Sequence, residues 1–110
     1  MVIVRKDIPN GLMIAQAGHS IVEFSKEFND LYNDWHNNSN YLIVLEIDNE
    51  KELKDLYNKL KWHGAHVVAF YEPDIDNQMT SICYYGTPEM RKHTQKLELA
   101  LSEVEVATNN

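Results

Sequence analysis

From Leu12 to Trp35 the chain repeats apolar side chains at intervals of three and four: Met13, Ala17, Ile21, Phe24, Phe28, Leu31 and Trp35. That spacing places them on one face of one long helix. Short runs of a different kind flank it. Val2-Ile3-Val4 is β-branched and cut off by Arg5-Lys6-Asp7, and Tyr41-Leu42-Ile43-Val44-Leu45 is nearly continuous in apolar character. The first reads as a buried strand and the second as a central strand covered on both faces. Strand, helix and strand in that order call for a crossover connection, which makes the chain a layered α/β protein.

The remainder extends the pattern. Asp48 or Asn49 can cap a second helix whose apolar face is Leu53, Leu56, Tyr57 and Leu60, with Glu50, Lys51 and Asp55 facing water and Gly64 closing it. Ala65 to Tyr71 is a third strand, Glu72 to Gln78 a polar loop and Met79 to Tyr85 a fourth strand. Pro88 opens a last helix in which Met90, His93, Leu97, Ala100 and Leu101 share the apolar side, and Thr108-Asn109-Asn110 frays. The expected fold is therefore α/β in three layers, a four-stranded mixed β-sheet with helices on both faces. Its first three strands run parallel and the fourth antiparallel. With 110 residues, no internal repeat and no low-complexity linker, residues 1–110 are expected to form one domain.

Composition narrows the function classes. Apolar residues at 44% and charged residues at 25% exclude disordered and fibrous chains. No apolar run approaches the roughly 18 residues of a membrane helix, and the N-terminus does not read as a signal peptide. A lone cysteine, Cys83, excludes an intramolecular disulfide and fits a reducing, cytoplasmic setting. Seventeen acidic residues against ten basic give a net charge of −7, a poor default for a nucleic-acid partner.

Ligands of such sheets gather at the carboxyl ends of strands, here the Asp7 to Gly11 loop, the start of the first helix and the Glu72 to Gln78 loop. Gln16, His19 and Glu23 form a polar line on that helix, and Glu72, Asp74 and Asp76 cluster around Pro73. A histidine facing a carboxylate can orient a water or hold a proton. Taken alone, the same residues more simply suit hydrogen bonds to the backbone of a neighbouring strand and a solvated turn. His63 and His66 lack the cysteines of a zinc set, Cys83 reads as a small buried hydrophobe, and the four scattered glycines make no phosphate loop. No metal site is expected. Trp35, Trp62 and Tyr84-Tyr85 read as core or interface residues, and Lys96 with its neighbours as a wet helix face.

Arg5-Lys6-Asp7-Ile8-Pro9-Asn10-Gly11, followed by Ala15-Gln16 and His19, resembles the opening signature of the type II peptidyl-tRNA hydrolases. The likeness continues through Asn40 to Leu45 and Glu72-Pro73-Asp74-Ile75 to Gln78-Met79-Thr80-Ser81. It is nearest to a bacterial and phage branch with a shortened first loop. The resemblance implies a homodimer that hydrolyses the ester of peptidyl-tRNA at the acceptor end and needs no cofactor. It implies that His19, Asp74 and Thr80 are catalytic, with Gln16 beside them; from charge placement, Arg5, Lys6, Arg91 and Lys92 are expected to bind substrate at the rim, provided the last helix packs beside the end of the first strand. Thr80 or a backbone N–H would stabilise the oxyanion. The family's lysine after the glycine is here Leu12, which opens a second reading, a non-catalytic tRNA-, protein- or ligand-binding module.

Overall fold

A computed structural model describes residues 1–102. Its elements are β1 (Val2–Arg5), α1 (Asn10–Glu27), α2 (Asn29–Asn37), β2 (Val44–Ile47), α3 (Glu50–Trp62), β3 (Val67–Glu72), a 3-10 turn (Pro73–Ile75), β4 (Gln78–Tyr84) and α4 (Pro88–Arg91). The sheet order is β2-β1-β4-β3. β1 and β2 are parallel, and β4 runs antiparallel to both β1 and β3, so the first three strands share a direction as the pattern required. The fold is α/β with a four-stranded mixed sheet between helical layers.

Alternation along the strands builds one core on each face. Val2, Val4, Val68 and Cys83 pack with Met13 and Phe24 of α1, while Ile3, Leu45, Ile47, Val67, Ile82 and Tyr84 pack with Leu53, Leu56 and Leu60 of α3. Asn49 caps α3, its side chain accepting from the Glu52 N–H at 3.0 Å. Gly64 ends the helix at φ 83°, a left-handed conformation that glycine adopts without a Cβ penalty. Glu50 does not face water as its helix position suggested. Its Oε2 accepts from the Met79 N–H at 2.9 Å and pins the start of β4.

Three expectations need correction. The long first helix is two helices, because Phe28 leaves helical geometry (φ −125°, ψ 57°) and packs its ring against Phe24 and His66. The apolar period survives the bend because Leu31 and Tyr32 of α2 return to the same core. The second strand begins at Val44 and lies at an edge. Tyr41 is 78% exposed and Leu42 49%, although the Ile43 carbonyl still accepts from the Val2 N–H. The last helix stops at Arg91, and the chain then crosses the end of the sheet to reach the outer side of β2. There the Glu46 N–H donates to the Glu98 carbonyl, and the Ala100 N–H to the Val44 carbonyl. An edge strand's open backbone groups outcompete another helical turn. The expected fraying at Thr108–Asn110 lies outside the described residues.

Cys83 is buried between β-strand neighbours, and burial pushes its thiol up to about 11. Native protein at pH 8 is therefore expected to resist iodoacetamide, and to be alkylated quantitatively once unfolded by guanidinium. Mass spectrometry of the two samples checks this.

Candidate active site

A register irregularity in the sheet creates the site. Phe70 pairs with Ser81, yet the next residue, Tyr71, pairs with Met79, so Thr80 is an extra residue in β4. Such a bulge breaks alternation. Met79 and Ile82 therefore both enter the α3-side core, and Thr80 and Ser81 both turn toward α1. Both hydroxyls are fully buried and meet Gln16, itself fully buried. The Thr80 hydroxyl donates to Gln16 Oε1, and Ser81 Oγ donates to the Gln16 carbonyl at 2.7 Å. The remaining arm of the amide, Nε2, donates to Glu72 Oε1 at 2.7 Å.

Glu72 is the hub of this cluster. It ends β3 and caps the 3-10 turn, where its Oε2 accepts from the Asp74 N–H at 3.1 Å and its carbonyl from the Asn77 N–H at 3.0 Å. Asp76 and Asn77 close the turn at φ 48° and 55°, the left-handed region that aspartate and asparagine tolerate best. The Gln16 amide, then the Asp74 N–H, hold the Glu72 carboxyl below the usual carboxylate range, and the nearby His19 adds to this. His19 lies one turn beyond Gln16 on α1, exposed, with its ring stacked on Phe70 at 4.5 Å between centroids and 16° between planes. Asp74 is exposed on the turn. Buried amide, anchored carboxylate, shelved imidazole and outer carboxylate thus follow one another from the sheet to solvent.

The structure brings Gln16, Thr80, His19 and Asp74 to one end of the sheet, with Thr80 behind Gln16 and away from solvent. It does not bring the basic residues there. Arg5 alternates onto the α3 side, and its guanidinium is fully engaged: Nε and Nη2 donate to Asp7 at 2.8 and 2.9 Å, and Nη1 donates to Gln78 Oε1 and the Met79 carbonyl. Lys6 pairs with Asp48 at 2.9 Å. Arg91 and Lys92 sit at the opposite end of the strands, where Arg91 lines a concavity of about 570 Å³ with Met1, Trp35, Tyr41 and Tyr85. β4 reverses direction against β1, so a segment that follows β4 emerges beside the start of β1 and not its end. Leu12 packs against the α1-side core.

Two residues escaped the sequence reading, Glu72 as the anchored carboxylate and Ser81 as the second hydroxyl on Gln16. For Ser81 a signal was present. Met79 and Ile82 stand three apart in a strand, an odd offset that two strictly alternating core residues cannot have, with two adjacent hydroxyls between them. Among the described residues no cluster of three or more histidines, cysteines or carboxylates is disposed to hold a metal, and no helix is long and apolar enough to cross a membrane.

Comparison with known proteins bears on the same residues. A peptidyl-tRNA hydrolase of Methanocaldococcus jannaschii is 34% identical over 70 residues, which is 58% of this chain and 61% of that protein. The match spans less than two thirds of that relative's length. The profile of a family described as peptidyl-tRNA hydrolase PTH2 covers residues 1–100, from the first strand through the segment that closes the β2 edge, so the chain belongs to the peptidyl-tRNA hydrolase PTH2 family.

Proposed function

We propose that the chain hydrolyses the ester joining a peptide, or an N-blocked amino acid, to the terminal ribose of tRNA. The observation that carries this reading is the Gln16–Glu72–His19 arrangement, a carboxylate held charged by two donors beside an exposed imidazole. His19 takes a proton from water as it attacks the ester carbonyl, the Glu72 charge favours the imidazolium that forms, and His19 returns the proton to the ribose oxygen as the tetrahedral intermediate collapses and the ester C–O bond breaks. Asp74, on the turn that Glu72 anchors, is a second carboxylate for positioning the water or the ribose hydroxyl. Thr80 serves by fixing Gln16, since its hydroxyl is already spent. The oxyanion then needs other donors. The start of α1 has no side-chain cap and no acidic residue in its first turn, so its leading N–H groups are available at this end of the sheet. They supply what the Leu12 side chain lacks, which weighs against the non-catalytic alternative.

In this reading the acting unit is one domain, working in the cytoplasm as a homodimer on the acceptor end of tRNA, and the short first loop supports kinship with the bacterial and phage branch. Incubation with N-acetyl-aminoacyl-tRNA is expected to release free tRNA, read as loss of acid-precipitable label. His19→Ala should slow turnover by about 10²-fold, the usual worth of a positioned proton-transfer group. Absence of release at high enzyme concentration would sink the reading.

A further inference from the structure

The ten lysines and arginines are unevenly engaged. Arg5, Lys6, Lys51 and Lys54 are paired with Asp7, Asp48, Asp55 and Glu50 around the end of β1 and the first half of α3. That end also holds Glu72, Asp74 and Asp76, so it repels phosphate. The other end is the reverse. The last turn of α3 carries Lys59 and Lys61 and runs into His63, and the α4 segment carries Arg91, Lys92 and His93. Among the described residues none of these lysines and arginines makes an ion pair. The two segments meet through their histidines, whose rings stack at 4.5 Å between centroids.

We propose that Lys59, His63, Lys92 and His93 form a phosphate-binding surface that holds the RNA backbone of the substrate. It would sit at the end of the sheet remote from the ester, and the proposal rests on the hydrolase reading above. The separation fits such a partner. The surface borders the start of β3 and the Glu72 cluster its end, about 17 Å apart at the rise of a strand. An RNA whose acyl end enters an acid-rich site must place its phosphates elsewhere, and this is where unpaired cations gather. A polyanion neutralises them and releases counterions, which makes binding salt-dependent.

The histidines add a pH dependence. His93 is held below its ordinary value, first by burial and then by the charges of His63, Lys59 and Lys92, with Glu89 opposing. A bound phosphate favours the protonated form of His93, so affinity rises as pH falls from 7.5 to 6.

The test is fluorescence anisotropy with a labelled acceptor-stem RNA hairpin, titrated at several salt concentrations. Three proteins are compared: the unchanged chain, Lys59→Gln/Lys92→Gln, and Lys51→Gln/Lys54→Gln. All the substituted side chains are exposed, and both variants lose two positive charges. The Lys59/Lys92 variant is expected to bind at least about tenfold more weakly at low salt, with a log–log salt slope smaller by roughly two contacts' worth. Its KM for N-acetyl-aminoacyl-tRNA should rise with kcat unchanged, while the Lys51/Lys54 variant behaves as the unchanged chain. Equal losses in both variants, or no hairpin binding at any salt, overturn the surface. Hairpin binding through Lys59 and Lys92 without ester hydrolysis upholds the surface and removes the hydrolase reading. Hydrolysis with a KM indifferent to these lysines does the opposite.

Discussion

Glu72→Gln is expected to lower kcat for N-acetyl-aminoacyl-tRNA by about 10²- to 10³-fold, the range seen when a preorganised charge at a reacting centre is removed. Asp74→Asn should cost less than about tenfold. The difference follows from geometry. Both Glu72 oxygens accept, one from Gln16 Nε2 and one from the Asp74 N–H, so a glutamine there must turn an NH₂ toward one of two donors. The turn loosens, and the negative charge beside His19 is lost at the same stroke. Because the Glu72 carboxyl is held below the usual carboxylate range, its contribution is fully present at neutral pH. It fades only as pH falls below that range. KM is expected to stay level, since Glu72 does not reach phosphate. If Asp74→Asn proved the more damaging change, the anchored carboxylate would be a structural cap and the outer one the reacting group.

The strand directions were legible because they follow from local facts: a helix between two apolar runs demands a crossover, and a short polar loop before the last strand permits reversal. Strand order was not. Placing β4 between β1 and β3 makes Val4 pair with Ser81 and Phe70 pair with Ser81's other side, contacts between segments far apart in sequence. The run Tyr41 to Leu45 misled for a related reason. It is apolar enough for a central strand, yet Tyr41 and Leu42 are left exposed and the strand proper sits at an edge. What shields that edge is the backbone of residues 98–100, which hydropathy does not register. Helical period failed in the same way at Phe28, since a period identifies a face and is blind to a change of axis.

The candidate site was half legible. Gln16, His19 and the Glu72 to Asp76 loop could be found as polar residues where strands of such sheets end, and the resemblance singled out Thr80. Which carboxylate is anchored depends on the bulge at Thr80, and no residue type alone dictates a bulge. The rim of cations was an inference from charge without direction. Arg5 faces the other side of the sheet from Gln16, and Arg91 and Lys92 lie beyond its far end, so the three never shared a cleft with His19.

Arg5→Met is expected to destabilise the fold by about 2–3 kcal/mol while leaving kcat/KM per folded molecule unchanged. Its guanidinium is nearly buried and donates to Asp7 twice, to Gln78 and to the Met79 carbonyl, so it ties the end of β1 to the start of β4. Removing one partner of a buried pair costs roughly 3–5 kcal/mol. Asp7 is 38% exposed and rehydrates, which brings the figure toward the lower end. Arg5→Lys should recover less than half, because an ammonium cannot reproduce the fork that spans both Asp7 oxygens. The pair also leaves a pH signature. Arg5 holds the Asp7 carboxyl below its ordinary value, so the stabilisation is present at neutral pH and disappears as pH falls through and below the ordinary aspartate range. Urea midpoints measured from pH 7 downward should therefore converge for the two proteins in acid. A substrate-binding Arg5 would give the opposite result, a raised KM with midpoints that stay together at every pH.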